Sequence, residues 1–279
     1  MGLEAEIKEK ALSMGARAVG IASVGDIDQF APLGHRPGDL LKGAKSVVII
    51  AGGEPSAGAW RAGEHRVLAS IGYNRSPMAS AARHLSTFME DTYRYYTIPI
   101  PSGNKTGHTP YISLKLCAEH AGLGTRSMAG GVVLNEKHGL LYFNGVITTM
   151  ALEEDGTLEE PVCPAPSCVS MWEKMQTVPC ISSCTDCLSG EIKDGKIESM
   201  EYRQDLCYTR SQSSSQDAFQ KLLLTAVNEP DAENRKAILL GSHFVRAVRS
   251  VAYSSELSAQ CFNCLKRCPL VLQKNHDMR

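Results

Sequence analysis

The stretch "AQCFNCLKRCPLV", residues 259–271, decides how the second half of the sequence is interpreted. It places Cys261, Cys264 and Cys268 at the spacing C-x2-C-x3-C, with Pro269 directly after the last cysteine. Three thiolates cannot complete a four-coordinate metal site. The fourth ligand must therefore come from a distant part of the chain.

Cysteine use divides the chain into a cysteine-poor and a cysteine-rich part. Cys117 stands alone before Cys163, and the other nine cysteines fall between Cys163 and Cys268. The first residues lack the apolar stretch of a signal peptide, and the longest apolar runs are far too short to cross a bilayer. We therefore expect a cytoplasmic protein without membrane contact, whose cysteines bind metal instead of forming disulfides.

The spacing of the terminal cysteines is typical of bacterial-type ferredoxins. Their runs read C-x2-C-x2-C-x3-C-P, and the fourth cysteine of each run binds the other cluster. Cys268 is then expected to join thiolates upstream. The upstream stretch "PCISSCTDCLSGEI", residues 179–192, closes like a ferredoxin run, which makes Cys187 the second crossing ligand.

This pattern predicts two [4Fe-4S] clusters, with nine cysteines for eight places. The ligands expected for the first cluster are Cys168, Cys180, Cys184 and Cys268. Those expected for the second cluster are Cys187, Cys207, Cys261 and Cys264. Cys163 is taken as the spare, although it is an alternative to Cys168. A single cluster, or zinc bound by the soft thiolates, remains an alternative.

Hydrophobic periodicity predicts a mixed helix and strand organisation before the cysteines. Apolar spacing indicates helices over 2–14, 77–96 and 111–124, and strands over 16–23, 44–53 and parts of 131–150. Continuous apolar strands are typical of a sheet covered on both faces. The acidic stretch 152–161 predicts a boundary, which gives domains 1–155 and 156–279. Two more helices are expected near 217–227 and 233–252.

Charge predicts the kind of partner. The chain has 29 basic and 30 acidic residues and a formal net charge of −1. A nucleic-acid-binding protein usually carries a basic excess. We therefore expect no nucleic-acid partner.

Three segments before the cysteines carry a resemblance to a known family. They are "GARAVGIASV" (15–24), "HRPGDLLKGAKSVVII" (35–50) and "SLKLCAEHAGLGTRSMAGGVVLNEKHGLLYFNGVITTM" (113–150). Followed by the paired cysteine groups, they resemble the epoxyqueuosine reductases and reductive dehalogenases, which are cobalamin-dependent iron–sulfur enzymes. The resemblance implies an α+β fold, with a nitroreductase-like α/β N-terminal domain and a C-terminal ferredoxin-like two-cluster domain.

The resemblance also implies an activity. It predicts an oxidoreductase that takes electrons from a low-potential donor such as a ferredoxin or flavodoxin. The electrons would pass through two [4Fe-4S] clusters to a bound cobalamin, which reduces a small organic substrate. Alternatives are an accessory protein that reduces or activates a corrinoid or a corrinoid protein, a flavin-dependent iron–sulfur reductase, and a zinc-stabilised structural module.

The cobalamin is expected against the glycine-rich stretch "AGLGTRSMAGG", residues 121–131. Glycine lets the backbone approach a large planar ligand closely. The candidate cofactor-binding residues are Gly122, Gly124, Gly130 and Gly131. A helix cap followed by a plain turn is the alternative interpretation of these glycines.

Two residues are candidate proton donors. Counting back from "AGLG", the position of the reductases' catalytic aspartate is occupied by His108. A histidine can donate protons near neutral pH. Tyr111 lies close by as a second candidate, by analogy with the dehalogenases' tyrosine. Because the aspartate is replaced, the family's substrate does not transfer to this chain. Cys117 is expected to be a packed thiol within a helix.

Overall fold

A computed structural model describes residues 2–61, 76–101, 104–106, 109–203, 206, 216–253 and 262–272. The strands are β1 (Ala18–Ser23), β2 (Ser46–Gly52), β3 (Thr97–Pro99), β4 (Asn104–Thr106), β5 (Thr109–Pro110), β6 (Thr125–Arg126), β7 (Val133–Asn135), β8 (Gly139–Leu140), β9 (Tyr142–Thr148), β10 (Leu188–Lys193) and β11 (Lys196–Tyr202). The helices before the cysteine-rich part are α1 (Leu3–Ser13), α2 (Val24–Phe30), α3 (Pro37–Leu40), α4 (Ala57–Trp60), α5 (Ser76–Tyr93) and α6 (Leu114–His120). Those after it begins are α7 (Pro166–Met175), α8 (Pro179–Ser183), α9 (Gln216–Asn228), α10 (Ala232–Leu240), α11 (Ser242–Tyr253), a 3-10 turn (Leu265–Arg267) and α12 (Pro269–Leu272).

The central sheet has the order β1-β2-β9-β3, and every neighbouring pair is antiparallel. Every residue of β2 is buried, because helices cover both faces of the sheet. Val47 and Ile49 point into a core shared with α2 and α6. Val48 and Ile50 point into the opposite core, shared with α1 and α5. The continuous apolar run therefore alternates between two cores with the period of a strand.

The helical prediction for 233–252 differs from the structure, which has two helices there. α10 and α11 separate at Gly241, where a Cβ atom would lie only 2.8 Å from the Ala237 carbonyl oxygen. Among the described residues, no helix has both the length and the hydropathy that a bilayer-spanning segment needs.

The acidic stretch after β9 is bound to the first half of the chain. Asp155 pairs with β1: its carboxylate accepts from the Ile21 N–H at 2.7 Å, and its own N–H donates to the Ile21 carbonyl at 2.9 Å. Asp155 also pairs with Lys8 of α1. Further along, the Val162 N–H donates to Thr125 Oγ1 of β6 at 2.8 Å. These bonds deliver the chain to the position where its cysteine-rich part begins.

A third core joins the cysteine-rich part to residues before 155. It contains Trp60, Met128 and Leu134 together with cysteines and Phe262. The rings of Trp60 and Phe262 meet edge to face, with centroids 5.7 Å apart. Packing of this kind places the terminal cysteine segment against the first half of the chain, and the division at residue 155 stays a prediction.

Candidate metal centre

Four thiols line one cavity within the third core. They belong to Cys163, Cys168, Cys180 and Cys268, each less than a tenth exposed. Apart from Ser127, the other residues of the wall are apolar: Met128, Ala129, Pro164, Val178, Pro179, Pro269 and Leu270. The cavity therefore presents soft sulfur ligands in surroundings that exclude water.

Separate chain segments carry these thiols to the cavity. Cys163 directly follows Val162, whose bond to Thr125 fixes its position beside β6. Cys168 lies in the first turn of α7, where its N–H donates to the Ala165 carbonyl at 2.8 Å. Cys180 lies at the start of α8.

Cys268 arrives from the far end of the chain. It lies between the 3-10 turn and α12, and its carbonyl accepts from the N–H groups of Val271 and Leu272 at 3.1 Å. The backbone of α12 packs closely on β8, because a Cβ atom at Gly139 would be 2.9 Å from the Leu270 carbonyl oxygen. Cys268 and Cys180 thus face one cavity although they lie 88 positions apart in the sequence (268 − 180 = 88).

Burial keeps these thiols protonated when no metal is bound. Burial raises the pKa of Cys163 to about 12, and the nearby Cys268 and Cys168 raise it further. The pKa of Cys180 is also raised, first by burial and then by Cys268, Cys163, Cys264 and Cys168. A bound metal would have to displace these protons, which couples its binding to proton release.

Backbone amides oppose this effect of burial at three of the thiols. A hydrogen bond from the Met128 amide lowers the pKa of Cys163, and one from the Ala165 amide lowers that of Cys168. Amides of Val271 and Leu270 do the same for Cys268. Hydrogen bonds to ligating sulfurs are one of the means by which proteins tune iron–sulfur clusters. These backbone N–H donors would therefore stabilise the sulfurs as thiolates when they bind a metal.

The four thiols that line the cavity are not grouped as the ligands of a single ion. Among the residues that the structure describes, no three His, Cys, Asp or Glu side chains lie close enough to hold one metal ion. Tetrahedral zinc with Zn–S bonds of about 2.3 Å would need sulfurs about 3.8 Å apart. A four-iron cluster spreads its ligands more widely, so the arrangement fits a cluster better than zinc.

The set of thiols that lines this cavity differs at one place from the ligand set expected for the first cluster. Cys163, taken as the spare, faces the cavity, whereas Cys184, expected as a ligand, is not part of its wall. Cys184 follows the last residue of α8 with φ −148° and ψ 52°, which is not helical. Its side chain therefore does not follow Cys180 along one helix face, as i, i+4 residues would.

Two of the four cysteines expected to bind the second cluster are described by the structure. Cys187 is buried, and Cys264 is partly buried and close enough to Cys180 to raise its pKa. Cys207 and Cys261 lie outside the described residues.

Arg203 lies beside the turn between Cys184 and Cys187. Its N–H donates to the Cys187 carbonyl at 2.9 Å, and its Nη2 donates to the Thr185 carbonyl at 2.9 Å. Its Nε is buried and has no hydrogen-bond partner among the residues that the structure describes. A buried donor left over at this place fits an unfilled acceptor such as a cluster sulfur.

The glycine-rich stretch has two different structural roles. A Cβ atom at Gly124 would lie 2.3 Å from the Leu134 carbonyl oxygen, so close packing within the chain requires glycine there. Gly122 likewise approaches the Gly156 carbonyl. Gly130 and Gly131, with φ 71° and 61°, form a turn that lies beneath Tyr202 and Met200 of β11.

The candidate proton donors are only partly described. Tyr111 is half-buried and stands two residues before Ser113, whose side chain caps α6. The preceding Pro110 carbonyl is 2.8 Å from His35 Nδ1. His108 lies outside the described residues.

A basic group beside the cavity did not enter the sequence interpretation. Glu119 of α6 accepts from the Arg126 N–H at 3.1 Å and from Arg126 Nε at 2.6 Å. Lys115, four residues before Glu119, belongs to the same group. The i, i+4 spacing of Lys115 and Glu119 was visible in the sequence, but nothing there brought Arg126 to them.

No family model and no curated protein matches this sequence. Solved structures do match. Epoxyqueuosine reductase from Streptococcus thermophilus has a TM-score of 0.56 at 16% identity, covering 97% of this chain and 66% of that one. An epoxyqueuosine reductase with a tRNA-Tyr epoxyqueuosine-modified stem loop has a TM-score of 0.53 at 17% identity, covering 99% and 67%. This chain therefore spans about two thirds of the length of these reductases. A catabolic reductive dehalogenase overlaps with a TM-score of 0.38 at 19% identity, covering 63% and 25%.

These structures correct one prediction. The exclusion of nucleic acid in favour of a small-molecule substrate is wrong, because a protein of this fold has been crystallised with a tRNA stem loop. Net charge averages over the whole surface, whereas phosphate groups are bound by a few local cations. The predicted mixture of helices and strands and the suspected resemblance are confirmed: the chain has the fold of the epoxyqueuosine reductases. The antiparallel pairing of its sheets was not predicted.

Proposed function

We propose that this chain is an iron–sulfur reductase whose first [4Fe-4S] cluster is bound by Cys163, Cys168, Cys180 and Cys268. The observation that carries the proposal is the convergence of these four buried thiols, from distant segments, on one apolar cavity. A second cluster would be bound by Cys187 and Cys264 with Cys207 and Cys261. Such clusters supply one-electron transfer at low potential when bound.

The chain's own residues would hold and tune the first cluster. The four cysteines bind it, and its apolar wall excludes water. The amides of Met128, Ala165 and Leu270 donate hydrogen bonds to ligand sulfurs, which stabilises their negative charge. Because Cys264 lies near Cys180, a second cluster ligated by Cys264 would be a neighbour of the first. Neighbouring clusters suit a path for electrons.

The acceptor of these electrons would be a corrinoid bound by the first half of the chain. The turn at Gly130 and Gly131 belongs to the segment that also forms one wall of the thiol cavity, at Met128 and Ala129. A ligand on the outer side of this turn would therefore lie close to the first cluster. Tyr111, or His108, would donate a proton to the reduced substrate.

Anaerobic purification with cobalamin supplied tests the proposal. We expect brown protein with about eight iron atoms and eight sulfides per chain, which is the content of two clusters. Reduction by dithionite should give the electron paramagnetic resonance signal of reduced [4Fe-4S] clusters. Cobalamin should remain bound through gel filtration, with an absorption spectrum altered from that of the free compound.

Three results would contradict the proposal. Colourless protein that contains zinc would refute the clusters. Iron-containing protein with a yellow cofactor released on denaturation would replace the corrinoid by flavin. Iron-containing protein without affinity for any corrinoid would refute the second half of the proposal alone.

A further inference from the structure

The basic group beside the thiol cavity has more positive than negative charge. It consists of Lys115 and Glu119 on α6 and Arg126 on β6. Both carboxylate oxygens of Glu119 are engaged by Arg126, through its backbone N–H and its Nε. Two cations thus share one carboxylate, and that carboxylate is already occupied.

Lys115 has no partner of its own in this group. Among the described residues, no carboxylate lies within 4 Å of its ammonium, and no hydrogen bond holds it. Burial lowers the pKa of Lys115, and repulsion by Arg126 lowers it further. Attraction by Glu119 offsets part of this effect. One carboxylate for two partly buried cations leaves an excess of positive charge that a further anion would neutralise.

Arg126 is the second cation of this group. Its side chain is 38% exposed, and its Nη1 lies about 4.0 Å from where a Cβ atom of Gly131 would be. With Nε bound to Glu119, the guanidinium still has N–H donors on its two Nη groups. A guanidinium edge beside an ammonium matches the several oxygens of a phosphate group.

The position of the pair suggests which ligands it serves. Arg126 is followed directly by Ser127, the first of three consecutive residues in the wall of the thiol cavity. A phosphate bound here would hold its molecule against the electron-carrying part of the protein. We propose that Lys115 and Arg126 form a binding site for the phosphate of a phosphodiester-containing ligand.

Two sources of a phosphodiester are compatible with this position. One is the nucleotide tail of a corrinoid, and this source rests on the proposed function. The other is the backbone of an RNA substrate. Both present the same oxygen atoms to the two cations, so binding measurements have to separate them.

Lys115→Gln tests the site without disturbing the bonds between Arg126 and Glu119. Lys115→Arg keeps the charge, and Lys137→Gln removes an exposed lysine outside the group as a matched control. Each purified, cluster-loaded variant is titrated with cobalamin, with cobinamide, which lacks the nucleotide tail, and with an RNA stem loop. Iron content shows that the clusters are intact.

If the corrinoid tail is the ligand, Lys115→Gln weakens cobalamin binding about tenfold and leaves cobinamide binding unchanged. If RNA is the ligand, Lys115→Gln weakens stem-loop binding about tenfold and lowers the salt-dependence slope by about one. In either case Lys115→Arg should bind nearly as wild type does.

The inference is overturned if Lys115→Gln binds every probe as wild type does, or loses cobinamide as strongly as cobalamin. Equal losses in Lys137→Gln would also overturn it. Wild-type protein that carries clusters but binds neither cobalamin nor RNA would refute this site while leaving the iron–sulfur part of the proposed function standing.

Discussion

Replacing Cys163 by alanine tests the ligand set of the first cluster. Cys163 faces the thiol cavity, whereas Cys184, equally buried, does not. Cys163→Ala should therefore lose one cluster, so that iron falls from about eight to about four atoms per chain. Cys184→Ala removes the same atoms from a buried site and should keep about eight.

The loss of this cluster should also lower the free energy of unfolding. A cluster held by Cys163 and Cys268 closes a loop of 105 residues (268 − 163 = 105). The loop-closure relation for a covalent cross-link gives about 4.7 kcal/mol for a loop of this length. Deletion of a sulfur from a buried site adds a further packing loss, but both variants share it. Cys163→Ala should therefore unfold more easily than Cys184→Ala by up to about 5 kcal/mol.

The assay combines iron and sulfide analysis with anaerobic urea denaturation of wild type and both variants. Electron paramagnetic resonance of the dithionite-reduced proteins counts the remaining clusters independently. Iron that falls in Cys184→Ala and stays near eight in Cys163→Ala would refute the ligand set and restore the assignment made from spacing. Equal iron in all three proteins would show that neither residue is a ligand.

Three further predictions concern residues outside this cavity. Gly124→Ala should lower the free energy of unfolding by about 3 kcal/mol or more, since its Cβ would be 2.3 Å from the Leu134 carbonyl oxygen. The control Gly156→Ala, at φ 74° with open space around it, should lower the free energy of unfolding by only about 1 to 2 kcal/mol. Burial raises the pKa of Cys117 to about 12, so this thiol should resist iodoacetamide at pH 8 until the protein unfolds; rapid labelling of the native protein would contradict its burial. Between about pH 9 and 12 only the unfolded thiol ionises, so the free energy of unfolding should fall by about 1.4 kcal/mol per pH unit relative to Cys117→Ala. Arg203→Gln should make the reduction potential of one cluster more negative in a redox titration, because it removes a positive charge beside Cys187; an unchanged potential would separate Arg203 from the cluster.

The central strands and their burial could be predicted from the sequence, because the signal lies in a short continuous run of residues. The run "VVIIA" at 47–51 is apolar throughout, which predicts cover on both faces, and the structure places a separate core on each. The hairpin β10–β11 was also within reach. Its turn contains Asp194 and Gly195 at φ 50° and 75°, and an Asp-Gly pair between two strands is a strong hairpin signal.

The partner class could not be predicted from total charge. A formal net charge of −1 describes the sum over 279 residues, but Lys115 and Arg126 form a local excess next to the thiol cavity. They are eleven residues apart, on a helix and a strand, and only the fold brings them together. Binding of phosphate depends on such local geometry, so a neutral total excludes very little.

The sequence spacing of two residues predicts whether their side chains share a face only while both lie in one regular helix or strand. Cysteine motifs alone therefore cannot identify every metal ligand. Cys180 and Cys184 are separated as i, i+4, which in a continuous helix would place both thiols on one face. The helix α8 ends at Ser183, so the pair loses that relation. Cys163 lies within the proline-rich stretch 161–166. It is held beside the cavity because Val162 is bound to Thr125, 37 residues earlier in the chain. A long-range hydrogen bond therefore holds Cys163 beside the cavity, and the comparison of Cys163→Ala with Cys184→Ala tests which of the two is a ligand.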